Sequence, residues 1–103
     1  MAFDGPYALG ATAFAGFPAL EELCLWAVNL GATGAALLAS RRWPRLRNLN
    51  LARCRLLDAG VAALARGAWP ALEVLNLCSN DLSVRPALED ARRWAPALVE
   101  LYS

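Results

Sequence analysis

Leucines mark two rhythms along this chain. The short one is L-x-x-L-x-L, found at residues 20–25, 46–51 and 72–77. Its second half alternates apolar and polar positions, the period of a strand with one buried face. The long rhythm is a 26-residue interval that links Pro18 to Pro44, Pro70 and Pro96. The same interval links Leu23 to Leu49, Leu75 and Leu101, and Leu30 to Leu56 and Leu82. Aligned, the units read FPALEELCLWAVNL, WPRLRNLNLARCRL, WPALEVLNLCSNDL and a shorter APALVELYS.

The second part of each unit, as in LLDAGVAALARGAWP, is rich in Ala and Leu and predicts a short helix that returns to the next proline. Each unit is therefore expected to run strand, turn, helix, loop. One such unit cannot bury its own leucines and must stack on its neighbours. The predicted array spans residues 17–103, three repeats of 26 residues and a truncated fourth strand. Residues 1–16 read as the tail of a preceding repeat or a loose cap, with Ala13 in the register of Ala39, Ala65 and Ala91. The fourth unit stops inside its strand, so the chain is expected to be a piece of a longer array or a short gene product.

The third helical segment, SVRPALEDARRWAP, departs from the pattern. Pro86 stands where the other units have Gly34 and Gly60, a residue type accepted in a helix's first turn. Asp90 stands where Leu38 and Leu64 are predicted to face the core. That helix is expected either to be rotated or to carry a wet face, as a terminal cap does.

The pattern L-x-x-L-x-L-x-x-(N/C)-x-L resembles the leucine-rich repeat, over the whole stretch from Pro18 onward. The resemblance implies an α/β solenoid, a short curved stack with parallel strands on its concave face and short helices on its convex face. The N/C position falls at Val28, Cys54 and Asn80. In the family this side chain bonds free backbone groups where the strand turns away. Cys54 and Asn80 fit, whereas Val28 departs and is expected to leave the first turn without that partner. Residues 54–61, CRLLDAGV, resemble the signature of ribonuclease-inhibitor-like repeats, while the 26-residue period is closer to the cysteine-containing repeats of F-box proteins. Both subclasses stay open, and both imply an intracellular protein.

With leucines pointing inward, the residues between them face outward in rows about 4.8 Å apart. The first row is Glu22, Asn48, Val74 and Glu100. The second is Cys24, Asn50, Asn76 and Tyr102, and the third is Trp26, Ala52 and Cys78. By the family's example this open strand face is the expected binding surface, with Trp26 as an aromatic anchor. Trp43 and Trp69, each just before a proline, are expected to pack the loops onto the core.

Four arginines lie between Trp43 and Leu56, with Arg41 and Arg42 just before, and suggest a basic patch. The repeat register dissolves much of it: Arg47 has Glu21 and Glu73 as lateral neighbours, and Arg55 has Asp81 and Asn29. Opposite charges on adjacent strands attract modestly, by a few tenths to about 1 kcal/mol. Arg53, between Ala27 and Ser79, has no acidic neighbour in its row and is the arginine predicted to meet a partner. Arg41, Arg42 and Arg45 fall in a loop and are expected to be solvated.

Composition narrows the chemistry further. The 103 residues carry 10 basic and 9 acidic side chains, a net charge of +1 that predicts no general attraction to nucleic acid or membrane. There is no His, so ordinary histidine general-base catalysis is excluded and Ser40, Ser79 and Ser83 have no activating partner. Lys, Gln and Ile are also absent. Three cysteines, Cys24, Cys54 and Cys78, make neither an even disulfide framework nor a C-x-x-C metal pair, which suits a reducing compartment. The glycines form no phosphate-binding motif. The N-terminus lacks the basic region of a secretory signal, and no apolar run approaches the roughly 18 residues that span a bilayer.

The expectation is a cytoplasmic or nuclear, non-secreted, non-catalytic module that binds a partner protein through its strand face. No cofactor, metal, small-molecule substrate or membrane is expected, and nucleic acid is disfavoured. Self-association through bare end repeats is foreseen. Alternatives within reach are the substrate-receptor part of an F-box ubiquitin ligase, a regulator of a small GTPase, and a truncated product without independent function.

Overall fold

The computed structural model describes residues 19–83 and 85–103. The predicted segment 1–16 and Pro18 lie outside the described residues. The order of elements is β1 (Glu22–Cys24), α1 (Gly31–Ala39), β2 (Asn48–Asn50), α2 (Leu57–Leu64), β3 (Val74–Asn76), α3 (Leu88–Ala91) and β4 (Glu100–Tyr102). The chain is α/β, with a parallel sheet ordered β1-β2-β3-β4. Every strand pairs with the one 26 residues away: Leu23 faces Leu49, Leu49 faces Leu75, and Leu75 faces Leu101. The sheet register is therefore the sequence repeat itself.

Each strand is short, yet its ladder continues past it. The Leu25 and Ala27 amides donate to the Asn50 and Ala52 carbonyls, and the Leu51 and Arg53 amides to Asn76 and Cys78. The inward leucines form the core. Leu25, Leu51 and Leu77 are fully buried, as are Leu38, Leu56, Leu64 and Leu72. Each such side chain contributes about 1.5–3 kcal/mol by leaving water. Helix α1 packs on α2 behind the sheet. Trp43 and Trp69 close the loops as predicted. They are buried and stacked with centroids 6.3 Å apart, and their indole N–H groups donate to the carbonyls of Leu38 and Leu64.

The third unit shows why Gly34 and Gly60 recur. Each lies in the first turn of its helix, so close to the leucine just before that helix that an added Cβ would lie 2.7 Å from Leu30 or Leu56. Each also donates its amide to that leucine's carbonyl, at 2.9 and 2.8 Å. Pro86 has neither the room nor an N–H to donate. It consequently does not enter the helix's first turn, which corrects the expectation. Helix α3 starts only at Leu88, after an extended Ala87, and has four residues. Of the two readings for Asp90, rotation holds: Asp90 is exposed while its neighbour Ala91 is fully buried.

The turns after the strands use left-handed backbone without glycine. Ala27, Arg53 and Ser79 have φ of 60°, 58° and 59°. Arg55 and Asp81 repeat it at 54° and 53°, and Leu57 adopts 58° where the first unit has Gly31 at 63°. Asn80 holds this backbone together. Its side-chain oxygen accepts from the amides of Cys54 and Leu56, and its Nδ2 donates to the carbonyls of Leu51, Leu77 and Cys78. Three of those groups belong to the preceding unit. Cys54 likewise donates its thiol back to the Leu25 carbonyl, at 2.8 Å.

This reach-back corrects the expectation for Val28. The turn residue of one unit serves the unit before it, so a valine at position 28 does not strip the first turn. There the Val28 amide donates to Leu25 and the Leu30 amide to the Val28 and Cys54 carbonyls. Val28 itself is buried in the core.

Candidate functional site

The strand register assembles the predicted rows. Glu22, Asn48, Val74 and Glu100 align across the four strands, and so do Cys24, Asn50, Asn76 and Tyr102. Alternation places their side chains opposite the leucines. Glu22, Asn48, Glu100 and Tyr102 are exposed, while Val74, Cys24 and Cys78 are half-buried. The three cysteines are free thiols. Between Trp26 and Cys78, Ala52 is buried, 6% exposed.

The second row is less open to a partner than the sequence suggests. The side-chain oxygen of Asn50 accepts from the Ala52 amide at 3.0 Å, and that of Asn76 from the Cys78 amide at 2.9 Å. Both oxygens thus hold the bend at the end of the strand. The two asparagines are as much turn residues as surface residues.

Trp26 and Arg53 come together. Trp26 is 43% exposed, and the Arg53 guanidinium carbon lies 5.4 Å from its ring centroid. A cation over an indole face is stabilised by about 0.5–1 kcal/mol at an exposed site. The contact restrains two long side chains in one geometry, and the arginine stays exposed. The sequence rows hid this pair. Residues 26 and 53 fall in different rows, and only the left-handed backbone at Arg53 brings its side chain toward Trp26.

The charged residues divide along the strand direction. At the N-terminal end, Arg47 donates two hydrogen bonds to Glu73 at 3.2 and 3.3 Å and lies 3.9 Å from Glu21. The Glu73 carboxylate raises the guanidinium pKa above its already high value. The predicted neutral ladder is realised there. At the C-terminal end it is not: Arg55 and Asp81 form no ion pair among the described residues. They line, with Ala27, Asn29, Arg53 and Ser79, an open groove of about 400 Å³. The physical reason is that cross-strand neighbours face one another only within the ladder, whose last bond here joins Arg53 to Cys78. Within the strand-face rows, Tyr102 donates its hydroxyl to the Glu100 carboxylate, which raises the phenol pKa above its ordinary value.

Among the described residues no group of three or more Cys, Asp or Glu side chains is placed to hold a metal ion. No helix among them is long and apolar enough to cross a membrane. The class that fold and face define is an α/β chain with a four-stranded parallel sheet, one side of which carries varied polar and aromatic residues. Comparison with protein-family models, curated proteins and solved structures found no match.

Proposed function

We propose that the chain is a leucine-rich repeat array that binds a partner protein across its strand face and performs no chemistry of its own. The observation that supports this reading best is the coincidence of sheet register with the 26-residue repeat. It lays unlike residues in rows over a uniform leucine floor, a scaffold on which contact residues vary without disturbing the core. Trp26 and Arg53, residue types enriched among interface anchors, stand at the centre of that variation.

The test uses a photo-crosslinking amino acid placed at position 53 or, as a control on α2, at the exposed position 62. A discrete crosslinked partner from position 53 and none from position 62 is the expected outcome. Trp26→Ala with Arg53→Ala should then abolish the crosslink formed from position 48, with an unchanged circular dichroism spectrum. Crosslinking from position 62 alone, or capture insensitive to the double substitution, would overturn the strand face as the site. Asn50 is left intact in this test because its side chain holds the Ala52 amide.

A further inference from the structure

The arginines are unevenly placed. Of the chain's 10 basic side chains, five lie in the two loops that return from α1 and α2 to the next strand: Arg47, which pairs with Glu73, and Arg41, Arg42, Arg45 and Arg66. Residues 39–46 and 65–72 contain no Asp or Glu. Arg42, Arg45 and Arg66 are exposed, and among the described residues none has a carboxylate within 4.0 Å. The C-termini of α1 and α2 attract cations, but each carries only about half a negative charge. Two such ends offset about one of these three exposed arginines, and a cationic rim remains.

Between the two loops lies a recess of about 490 Å³, on the opposite edge from the groove at Arg53 and Arg55. Trp43, Pro44, Ala68 and Pro70 give it apolar walls, and Arg42 and Arg66 flank it. The recess is preformed. The Trp43–Trp69 stack fixes one side of both loops, and Gly67 approaches Ala39 so closely that a Cβ there would lie 2.9 Å from the Ala39 backbone. Preformed, rigid walls lower the ordering cost of binding.

We propose that this edge is a second docking site, and that its occupant is an acidic segment of a partner protein that inserts an aliphatic side chain between Arg42 and Arg66. Charge complementarity selects the acidic flanks, and the apolar walls select the inserted side chain. A single-stranded nucleic acid would want exposed aromatic faces to stack on, but Trp43 and Trp69 are 2% and 1% exposed. A lipid surface would meet the arginines and leave the recess empty.

The test is fluorescence anisotropy of the full chain with labelled peptides in which glutamates flank a central leucine or a central serine. The leucine peptide should bind at least about tenfold more tightly, the effect of burying one aliphatic side chain. Arg42→Glu with Arg66→Glu should weaken it by about tenfold or more. Ala68→Leu, which fills the recess, should erase the leucine preference while leaving the serine peptide's affinity unchanged. Because Ala68 is exposed, this variant tests the recess even if the double charge reversal unfolds the protein. Equal affinity for the two peptides, or no binding of either, refutes the proposal. So does tighter binding of a labelled oligouridine or of phosphatidylserine vesicles. Loss of peptide binding in Trp26→Ala/Arg53→Ala would move the site to the strand face and also overturn it.

Discussion

Replacing Asn80 with alanine removes five hydrogen bonds at once, two accepted and three donated. The side chain is 1% exposed, so water cannot replace it without opening the turn. The Cys54 and Leu56 amides would lose their acceptor, at roughly 1–3 kcal/mol for each buried group left unsatisfied. The carbonyls suffer less, since Cys78 keeps the Arg53 amide at 2.9 Å. The sum is about 3–5 kcal/mol, a large part of the roughly 5–15 kcal/mol that stabilises a domain. In urea unfolding followed by circular dichroism, with a slope near 1.5 kcal/mol/M, the midpoint should fall by about 2–3 M. Asn80→Cys should be milder, because Cys54 shows that a thiol can reach back to the previous unit's carbonyl and that turn amides can then find backbone acceptors. Asn80→Asp should cost at least as much as alanine, since it loses three donations and buries a charge. A loss below about 1 kcal/mol for the alanine variant, or equal losses for alanine and cysteine, would refute this account of the turn.

Burial pushes the Cys54 thiol from 9.0 up to about 11, against weaker opposing hydrogen bonds from the Val28 and Ala27 backbone. Below the unfolded value the thiol is protonated in both states and its stabilisation is fully present. As pH rises from 9.0 toward about 11 the unfolded chain releases the proton first, so stability should fall by on the order of 2 kcal/mol. The measurement is the difference in urea midpoint between the parent chain and Cys54→Ala across that range; a pH-independent difference would contradict it. Leu57 is 50% exposed with φ of 58°, in the place held by Gly31 in the first unit. A left-handed non-glycine residue costs about 1–2 kcal/mol and glycine's extra freedom returns about half of that. Leu57→Gly should therefore raise stability by up to about 1 kcal/mol, seen as a higher melting temperature, and a clear destabilisation would show that Leu57 contributes contacts the exposed side chain does not suggest.

How much of this was legible in the sequence depended on which interactions have a period. Leucine spacing does, and it located the strands, their parallel order and their register, because only one pairing puts Leu23, Leu49, Leu75 and Leu101 on the same face. Trp43 and Trp69 were legible for the same reason, being apolar residues at equivalent places. Left-handed backbone at Ala27, Arg53 and Ser79 left no trace, since the residue that announces it is glycine and none is there. With the turn geometry hidden, the side-chain directions beyond the strands were hidden too. Hence the Arg53–Trp26 contact was missed and the Arg55–Asp81 pair was expected where none forms. Asn50 and Asn76 looked like surface residues because an asparagine that holds its own bend and one that awaits a partner read alike. Pro86 gave a different lesson: the sequence offered it as a residue that a helix's first turn accepts, yet α3 starts only at Leu88, because the proline lacks the N–H and the room that Gly34 and Gly60 supply.

The side chain that closes each turn belongs to the following unit, and this gives the stack a mechanical polarity. If the third unit peels away, the Cys54 and Leu56 amides lose Asn80 and stand bare. If the first unit peels away instead, Cys54 loses the Leu25 carbonyl that its thiol was bound to, and its own carbonyl loses the Leu30 and Gly31 amides, but its amide keeps Asn80. Fraying from the two sides is therefore not equivalent. Deuterium entering at Cys54 and Leu56 would report the opening of residues a whole unit further along the chain, so the exchange rates of one turn are a clock for the detachment of the next.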